Sequence, residues 1–353
     1  MAGGALMASN GESAMRNEKL PLHILSGFLG SGKTTLLKGW LTHQNLNDVA
    51  LLVNEFGEVG IDHHLLNEVA PDTVLLPSGC VCCQIRGELK TALLDLYERR
   101  TRGELPPFSQ VILETTGLAD PAPILSTLLH DPQLKHHFSQ GTLVTLVDAE
   151  HARLQSAHQP EWLAQVSAAD KLLLSKCDRI DHDGLLALQT WLGGLNPLAE
   201  LSDTQHALAE PGQLFALRLA KGTHAQRFRW LGAVGDARYN LTPGQKTHHH
   251  PLTQTCVITL EDELNWPAFA IWLSMLLHSH GQSVLRMKGI LRFSGTSAPV
   301  VIHGVQHTLH PPIHMNDWPG DLDTSKLVFI LRGLDAERLK QGFNRFQQAL
   351  KDR

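Results

Sequence analysis

The stretch GFLGSGKTT, from Gly27 to Thr35, carries the residue types that hold the phosphates of a nucleotide. It fills the pattern G-x-x-x-x-G-K-[ST], in which glycines let backbone N–H groups turn toward phosphate oxygens and the following helix adds its positive end. Lys33 would offset β- and γ-phosphate charge, and the Thr34 hydroxyl would bind Mg²⁺. The stretch therefore predicts a nucleoside triphosphatase. The residues expected at the phosphates are Gly27, Gly30, Ser31, Gly32, Lys33, Thr34 and Thr35.

A second motif, ETTG from Glu114 to Gly117, ends another apolar run. In triphosphatases an acidic residue at the end of a buried strand holds Mg²⁺ through a water, and a glycine three positions later senses the γ-phosphate with its backbone N–H. Because a lone E-x-x-G is a weak pattern, this interpretation depends on its position after a strand. The expected catalytic residues are Lys33, Thr34, Glu114 and Gly117, with Thr34 and Glu114 at Mg²⁺.

The motif SKCD, from Ser175 to Asp178, favours guanine as the base. The Asp178 carboxylate can accept both the ring N–H and the amino group of guanine, while the stem of Lys176 packs over the base; adenine offers the wrong donors. Ser175 stands where the usual N-K-x-D form has Asn, and we expect this change to weaken the support of the loop but to leave the specifying carboxylate. An ordinary helix start is the alternative for this tetrapeptide.

The stretch GCVCC, from Gly79 to Cys83, contains three of the five cysteines of the chain. Ordinary usage would produce C-x-C-C in on the order of one such sequence per thousand. Thiolates this close favour a soft or borderline cation such as Zn²⁺ or Cu⁺. Three thiols, at Cys80, Cys82 and Cys83, predict an open, exchangeable site whose fourth position is left to water, a His, a carboxylate or a partner. A redox-active cluster and buried apolar cysteines are the alternatives.

The elements that position these motifs are short apolar runs. From residue 20 to about 219 such runs alternate with helical stretches, which predicts an α/β fold with a mostly parallel sheet flanked by helices. Each polar motif follows one of the runs, at the edge of an open α/β sheet where ligands bind. The predicted strands are residues 20–25, 49–53, 73–76, 111–114, 143–148 and 171–175.

The chain divides into four predicted parts. Residues 1–19 are a polar, flexible tail, and residues 20–219 are a P-loop GTPase domain that includes the cysteine loop. Residues 220–252 lose periodicity and are interpreted as a linker. Residues 253–353 form a small α+β domain with the order β-α-β-β-β-α and one sheet face covered by helices. Its predicted strands are 254–260, 284–293, 300–303 and 327–331, and its helices are 266–277 and 335–350.

Composition excludes several classes of protein. A formal net charge of -5 argues against binding to nucleic acid by bulk electrostatics. The N-terminal residues lack the layout of a signal peptide, and the longest apolar run, residues 269–277, is too short to span a bilayer. The cysteines form no disulfide framework. We therefore expect a soluble, cytoplasmic protein with no nucleic-acid or membrane partner.

The set of motifs closely resembles the CobW-type metallochaperone GTPases, including the YjiA-like subgroup. The resemblance includes NEFGEVG from Asn54 to Gly60 and ETTGLADP from Glu114 to Pro121, and it runs from about residue 20 to 201. It resumes at RMKGIL, from Arg286 to Leu291, which is similar to the carboxyl-terminal domain of that family. The resemblance therefore covers most of the chain.

This resemblance implies a GTPase that uses GTP and Mg²⁺, binds Zn²⁺ or a similar divalent ion, and delivers the metal to a client protein. Residues Asn54 to Gly57 would be a nucleotide-sensing switch, and the three cysteines of the C-x-C-C loop would be the metal site. The nucleotide-binding residues then also include Asn54, Lys176 and Asp178. Two alternatives stay open. One is a GTPase for cobalamin synthesis or metalloenzyme maturation with Co²⁺ or Fe²⁺ as cargo, and the other is a zinc buffer or sensor that does not deliver metal. The sequence names neither the client nor whether the chain forms a homo-oligomer.

Histidine is frequent, with 21 residues in the chain. The run from His248 to His250 would make a secondary metal-collecting surface, since neutral imidazole is a common Zn²⁺ ligand. Solvated surface histidines are the alternative. The spaced set His303, His307, His310 and His314 shares this interpretation. His63 and His64, soon after the switch, are closer in sequence to the nucleotide core and would lend a transient ligand.

Overall fold

The computed structural model describes residues 19–42, 48–54, 74–76, 84–216, 253–318 and 324–351. Its first sheet contains β1 Leu20–Gly27, β2 Val49–Asn54, β3 Val74–Leu76, β4 Gln110–Glu114, β5 Phe138–Asp148, β6 Lys171–Ser175 and β7 Glu200–Asp203. The strand order is β3-β2-β4-β1-β5-β6-β7, and all the pairings are parallel. The predicted mostly parallel α/β sheet is confirmed.

The helices of this domain lie between its strands along the chain, except that the last two follow β7. They are α1 Lys33–Leu41, α2 Gln84–Thr101, α3 Pro121–His130, α4 Leu134–His137, α5 Ala152–His158, α6 Pro160–Ala168, α7 His182–Leu195, α8 Thr204–Ala209 and α9 Pro211–Leu214. Because helices cover both faces of the sheet, β6 is buried along its whole length and β4 along all but its first residue, and both read as apolar runs rather than as alternating patterns. Aspartates cap three of the helices by accepting a bond from a backbone N–H of the first turn: Asp120 for α3, Asp181 for α7 and Asp203 for α8.

Apart from shifts of one or two residues at strand ends, two features of this sheet differ from the sequence prediction. Strand β5 begins five residues early, at Phe138, because residues 138–140 pair with β1 ahead of an irregularity, although Ser139, Gln140 and Gly141 break the apolar run. Strand β7 was not predicted, since it is a four-residue edge strand, ELSD, with no apolar run of its own.

The second sheet is antiparallel. It contains β8 Thr253–Leu260, β9 Val284–Leu291, β10 Val300–Val305, β11 Thr308–Leu309, β12 Ile313–His314 and β13 Ser325–Arg332. The order is β11-β10-β9-β13-β8, and β12 pairs with β10. The helices α10 Trp266–His280 and α11 Ala336–Lys351 complete the predicted β-α-β-β-β-α order, to which β11 and β12 are short additions.

The second sheet is covered on both faces. Residues of α10 and α11, including Phe269, Trp272 and Phe343, pack in one apolar cluster with one face of the sheet. Leu285 and Ile290 of β9, on the other face, belong to the same core cluster as the helices of the first domain. The predicted helical cover of one face is confirmed, and the opposite face is buried against helices of the first domain.

A buried ion pair lies at this contact. Arg286 of β9, 3% exposed, donates to the Ala168 carbonyl and pairs with Asp170. Burial raises the pKa of Asp170, but the charges of Arg286 and Lys288 lower it more, so that it lies well below its ordinary value. Loss of one partner would leave the other charge buried and uncompensated, which is strongly destabilising.

Across the described residues no helix has the length and apolar character needed to cross a bilayer.

His23 is a neutral histidine inside the strand that leads into the phosphate loop. It is 1% exposed, and its Nδ1 accepts a hydrogen bond from the Thr142 backbone N–H at 3.0 Å. Burial, with the charge of Lys171, lowers its pKa to about 4. Protonation of Nδ1 would also remove the acceptor that Thr142 uses, so the folded chain holds this ring neutral.

We expect the free energy of unfolding to fall as the pH is lowered from about 7.5 to about 5. An unfolded histidine has a pKa of about 6.5, whereas folded His23 stays neutral to a pH of about 4. Between these values the unfolded chain binds a proton that the folded chain does not, so acid favours unfolding. His23 alone accounts for about 2 kcal/mol at the lower pH, measurable by urea unfolding.

The matched variant is His23→Gln, because a glutamine oxygen can accept the bond from Thr142 and does not titrate. This variant should lose the His23 share of the acid sensitivity. The control His158→Gln changes an exposed histidine and should keep the wild-type pH dependence. An unchanged pH dependence in His23→Gln would show that the ring is not held neutral.

Candidate functional site

The phosphate loop joins the end of β1 to the start of α1. Gly27, Gly30 and Gly32 have φ values of 144°, 72° and 93°, which L side chains rarely adopt. At Gly27 a Cβ would also lie 2.6 Å from the Leu146 carbonyl oxygen of the neighbouring strand. The loop therefore requires its glycines, and its curve is fixed by packing against β5.

Lys33, the first residue of α1, folds its side chain back over this loop. Its Nζ donates to the carbonyl oxygens of Gly27 at 2.9 Å and of Phe28 at 3.3 Å, and the residue is only 9% exposed. Within the loop Ser31 is buried, whereas Gly30 and Thr35 are exposed. The ammonium group thus lies at the loop itself, where it can offset the charge of bound phosphate.

Thr34 and Glu114 meet at the start of α1. The Thr34 hydroxyl donates to Glu114 Oε1 at 2.9 Å, although the two residues are 80 positions apart. Glu114 is 4% exposed and ends β4, where it is paired in register with Leu25 of β1. A hydroxyl and a carboxylate are hard oxygen donors, and Mg²⁺ prefers such ligands. The donor set therefore fits Mg²⁺ at the residues predicted for it.

Gly117 lies against the phosphate loop. A Cβ at this position would be 2.5 Å from the Leu29 backbone nitrogen, so any side chain would push the two loops apart. Gln165, fully buried in α6, holds the Gly117 segment through bonds from Nε2 to the carbonyls of Gly117 and Ala119, each at 3.0 Å. The sequence did not predict Gln165, because an amide within a short helix gives no functional signal.

The SKCD motif follows β6 on the other side of the phosphate loop. Ser175 is buried, and its hydroxyl donates to the Ser31 carbonyl at 2.7 Å. The serine hydroxyl thus bonds directly to the phosphate loop, while the weaker support expected relative to asparagine stays a prediction. Lys176 is partly exposed, and Asp178 is exposed within the 3₁₀ turn Cys177–Arg179. An exposed carboxylate beside the phosphate loop can accept hydrogen bonds from a bound base.

Asp148, at the end of β5, is a further polar residue at this edge that the sequence analysis did not assign. Its carboxylate accepts a bond from Lys176 Nζ at 2.6 Å. An acidic residue at the end of an apolar run is the same signal that identified Glu114, so this residue could have been found from the sequence.

The strands that precede the switch and the cysteine loop in the chain, β2 and β3, lie at the other end of the same sheet edge. Asn54 ends β2, and the neighbouring β3 ends at Leu76 in parallel register with it. Residues 55–57 and the three cysteines at positions 80, 82 and 83 lie outside the described residues. Three strand intervals separate β3 from β1, which is about 14 Å at the usual strand spacing. Strand β3, which leads to the cysteine loop, and strand β1, which leads to the phosphate loop, thus end at the same sheet edge but are not adjacent.

The histidines that were predicted to share one surface do not form one group. His310 is 4% exposed and its ring centroid lies 4.0 Å from that of His303, whereas His307 and His314 are exposed. Burial first, with the charges of Arg286 and Lys288, lowers the pKa of His310 to about 4, although Asp170 raises it. The positive charges of Arg286 and Lys288 near the His303–His310 pair oppose the binding of a cation there. Positions 63, 64 and 248–250 lie outside the described residues.

Comparison with known families matches both domains. Residues 21–203 match the family described as CobW/HypB/UreG, nucleotide-binding domain. Residues 253–347 match the Cobalamin synthesis protein cobW C-terminal domain. The two matches account for both sheets of the structure.

Two relatives named zinc chaperone are similar over about nine tenths of this chain, and a third relative over about half of it. Zinc chaperone YjiA of Escherichia coli (strain K12) is 29% identical over 323 residues, which is 91% of this chain and 96% of the relative. Zinc chaperone CobW of Pseudomonas aeruginosa is 28% identical, with 90% of this chain and 88% of the relative covered. Zinc-regulated GTPase metalloprotein activator 1 of Schizosaccharomyces pombe is 31% identical over 54% of this chain and 46% of the relative.

Solved structures share the two-domain fold. A Zn(II)-bound triple mutant of the YjiA GTPase has a TM-score of 0.66 at 25% identity, with 93% of this chain and 99% of that chain covered. The Zn(II)-bound YjiA GTPase from E. coli gives a TM-score of 0.63 at 24% identity, with the same coverage. The second likeness concerns the fold alone.

Proposed function

The chain belongs to the family of CobW/HypB/UreG nucleotide-binding domains. We propose that it is a GTP-hydrolysing metallochaperone, which takes Zn²⁺ as cargo and transfers it to a client protein. GTPase activity follows from the family. One observation supports the metal-transfer part of the proposal. The phosphate loop, the Thr34–Glu114 pair and the strand that leads to the cysteine loop all lie at one edge of the sheet.

The residues of the edge have distinct roles in the proposed hydrolysis. Lys33 and the loop N–H groups stabilise the charge that develops on the γ-phosphate while a water attacks it. Thr34 and Glu114 would hold Mg²⁺, which supplies further charge neutralisation at the phosphates. The N–H of Gly117 would sense the γ-phosphate, and its distance from the loop is set by Leu29 and Gln165. Since the sequence identifies no arginine finger, we expect slow intrinsic turnover.

Guanine would be read beside the phosphate loop. The exposed Asp178 carboxylate presents two acceptors, which match the ring N–H and the amino group of guanine. Ser175 supports this reading through its bond to the Ser31 carbonyl, because it ties the base-reading loop to the phosphate loop. Base and phosphate sites are thereby held at a fixed separation.

The proposed cargo site is the C-x-C-C loop at Cys80, Cys82 and Cys83. Three clustered thiolates suit Zn²⁺ and leave one coordination position open for exchange with a client. Relatives that bear the names zinc chaperone and zinc-regulated GTPase metalloprotein activator support zinc as the metal and a protein as the recipient. The neighbouring strands β2 and β3 lead into the switch and the cysteine loop, so a change at one has a short path to the other.

Asp178→Asn should reduce the preference for GTP over ATP about 10- to 100-fold, because one of the two acceptors for guanine becomes a donor. The same amide can donate to the C2 oxygen of xanthine, so binding of XTP should improve. Competition binding with the three nucleotides measures both effects.

The control for this variant is Asp181→Asn. Asp181 lies three residues later and caps α7, and asparagine caps helices as well as aspartate does, so its nucleotide preference should equal that of the wild type. If the wild type itself binds ATP and GTP equally well, SKCD does not read the base.

Replacement of both Cys82 and Cys83 by Ser should lower the affinity for Zn²⁺ at least about 100-fold and leave GTP binding within about twofold, since a serine hydroxyl is a poor zinc ligand. Wild-type Zn²⁺ binding should also weaken as the pH falls, because the thiols must lose their protons to ligate. Chelator competition at several pH values measures both.

The matched control is Cys256→Ser in β8. Burial first, with Glu337, raises the pKa of Cys256 to about 11 against a lowering by Lys340, so this thiol stays protonated at neutral pH. Its Sγ donates to the Ala336 carbonyl at 3.6 Å, a bond that a serine hydroxyl can also make. Wild-type zinc affinity in the variant altered at positions 82 and 83 would move the cargo site elsewhere.

A further inference from the structure

Asp148 is a buried carboxylate at the ligand edge that has no role in the proposed hydrolysis. It ends β5 beside Ser175 of β6, and only 2% of the residue is exposed. Its Oδ1 accepts from the backbone N–H of Glu150 at 3.0 Å and of His151 at 3.3 Å. Its Oδ2 accepts from Lys176 Nζ at 2.6 Å. The carboxylate therefore joins the turn after β5 to the loop after β6.

The lysine on the other side of this bond has an unusual backbone. Lys176 has a φ of 56° and a ψ of 34°, in the left-handed region that non-glycine residues rarely adopt. Such a conformation persists only where the surroundings fix it. Three contacts hold this segment: the ion pair with Asp148, the bond from the Ala149 N–H to the Ser175 carbonyl at 3.0 Å, and the bond from the Arg179 N–H to the Lys176 carbonyl at 3.1 Å.

Protein cations neutralise the acidic groups at this turn. Ligand atoms of Asp148, Glu150 and His151 lie within 4.8 Å of one another, but Lys176 bonds to the first and Arg179 Nη1 donates to the second at 3.0 Å. Burial raises the pKa of Asp148, while the bonds from Lys176 and His151 lower it more, so its pKa lies below the ordinary value. The carboxylate is thus charged at neutral pH with Lys176 as its counter-ion, and the group favours a positioning role over a metal site.

We propose that Asp148 is a positioning residue for guanine binding, which anchors Lys176 Nζ so that the lysine stem is already in place for the base. This inference rests on the proposed function, in which the stem of Lys176 covers the base and Asp178 reads its edge. A lysine side chain loses much rotamer freedom when it is ordered. Because Asp148 orders it before the nucleotide arrives, that loss no longer weakens binding.

The first test is Asp148→Asn in the full chain, which keeps the size of the side chain and removes its charge. The Kd and KM for GTP should rise about tenfold, while kcat at saturating GTP should stay within about twofold, because no group that touches the γ-phosphate has changed. A general disturbance of the fold would lower kcat as well. The control Glu150→Gln breaks the exposed pair with Arg179 in the same turn and should leave Kd, KM and kcat within about twofold.

A double-mutant cycle separates anchoring from other effects of Asp148. Lys176→Met keeps an apolar stem and removes the ammonium group that Asp148 binds. It should weaken GTP binding with kcat retained, and Asp148→Asn should add less than about twofold in the Lys176→Met background. If Asp148→Asn does not fold, Lys176→Met still tests the anchor, since wild-type GTP binding in that variant would overturn the proposal.

Inosine triphosphate (ITP), which lacks the amino group of guanine, distinguishes the positioning role of Asp148 from the base-reading role of Asp178. Asp148→Asn should weaken the binding of GTP and of ITP by the same factor, because the lysine stem covers both bases alike. Asp178→Asn should instead reduce the ratio of the affinity for GTP to the affinity for ITP (the GTP:ITP ratio). Unchanged GTP binding in Asp148→Asn, or fully additive effects in the cycle, would overturn the positioning role. A GTP:ITP ratio that Asp178→Asn leaves unchanged would instead refute the base-reading role of SKCD.

Discussion

The parallel register of the first sheet is the constraint on which the site depends. Parallel strands that lie in register end at one edge, so the ends of β1, β4, β5 and β6 meet there although they are far apart along the chain. Buried apolar side chains fix that register, because a slip would remove them from the cores on both faces. The Thr34–Glu114 and Ser175–Ser31 bonds can form only between strand ends that are already in place. The chemistry of the edge is thus a consequence of the packing of the sheet.

The second domain is bonded to the segment that would sense the γ-phosphate. Gln306 Nε2, in the turn between β10 and β11, donates to Asp120 Oδ2 at 3.0 Å, three residues after Gly117. The same Asp120 caps α3 through its other oxygen. The ion pair of Arg286 and Asp170 provides a second contact between the domains. A displacement of the Gly117 segment must therefore be matched by the second domain or must break the bond from Gln306.

The sequence predicted the fold, and it predicted most of the residues that the structure brings together at the phosphate loop, because long apolar runs and glycine-rich turns are local signals. Strand β6, for example, has the predicted limits. Contacts between distant residues leave no such local signal. Gln165 holds the Gly117 segment from inside a helix, and Ser175 replaces the expected asparagine with a hydroxyl bond to the main chain of the phosphate loop. The buried environment of His310 also depends on how the two domains pack, which no spacing of histidines along the chain reveals.

We propose that nucleotide state and zinc affinity are linked through the neighbouring strands β2 and β3. The direct test is the Zn²⁺ affinity of the wild-type chain, titrated against a competing chelator, once with bound GTP in a non-hydrolysable form and once with GDP. Allosteric coupling typically amounts to 1–3 kcal/mol, so we expect a difference of roughly 5- to 150-fold between the two states. Equal affinities would contradict this linkage and would favour a zinc buffer whose metal affinity does not depend on the nucleotide.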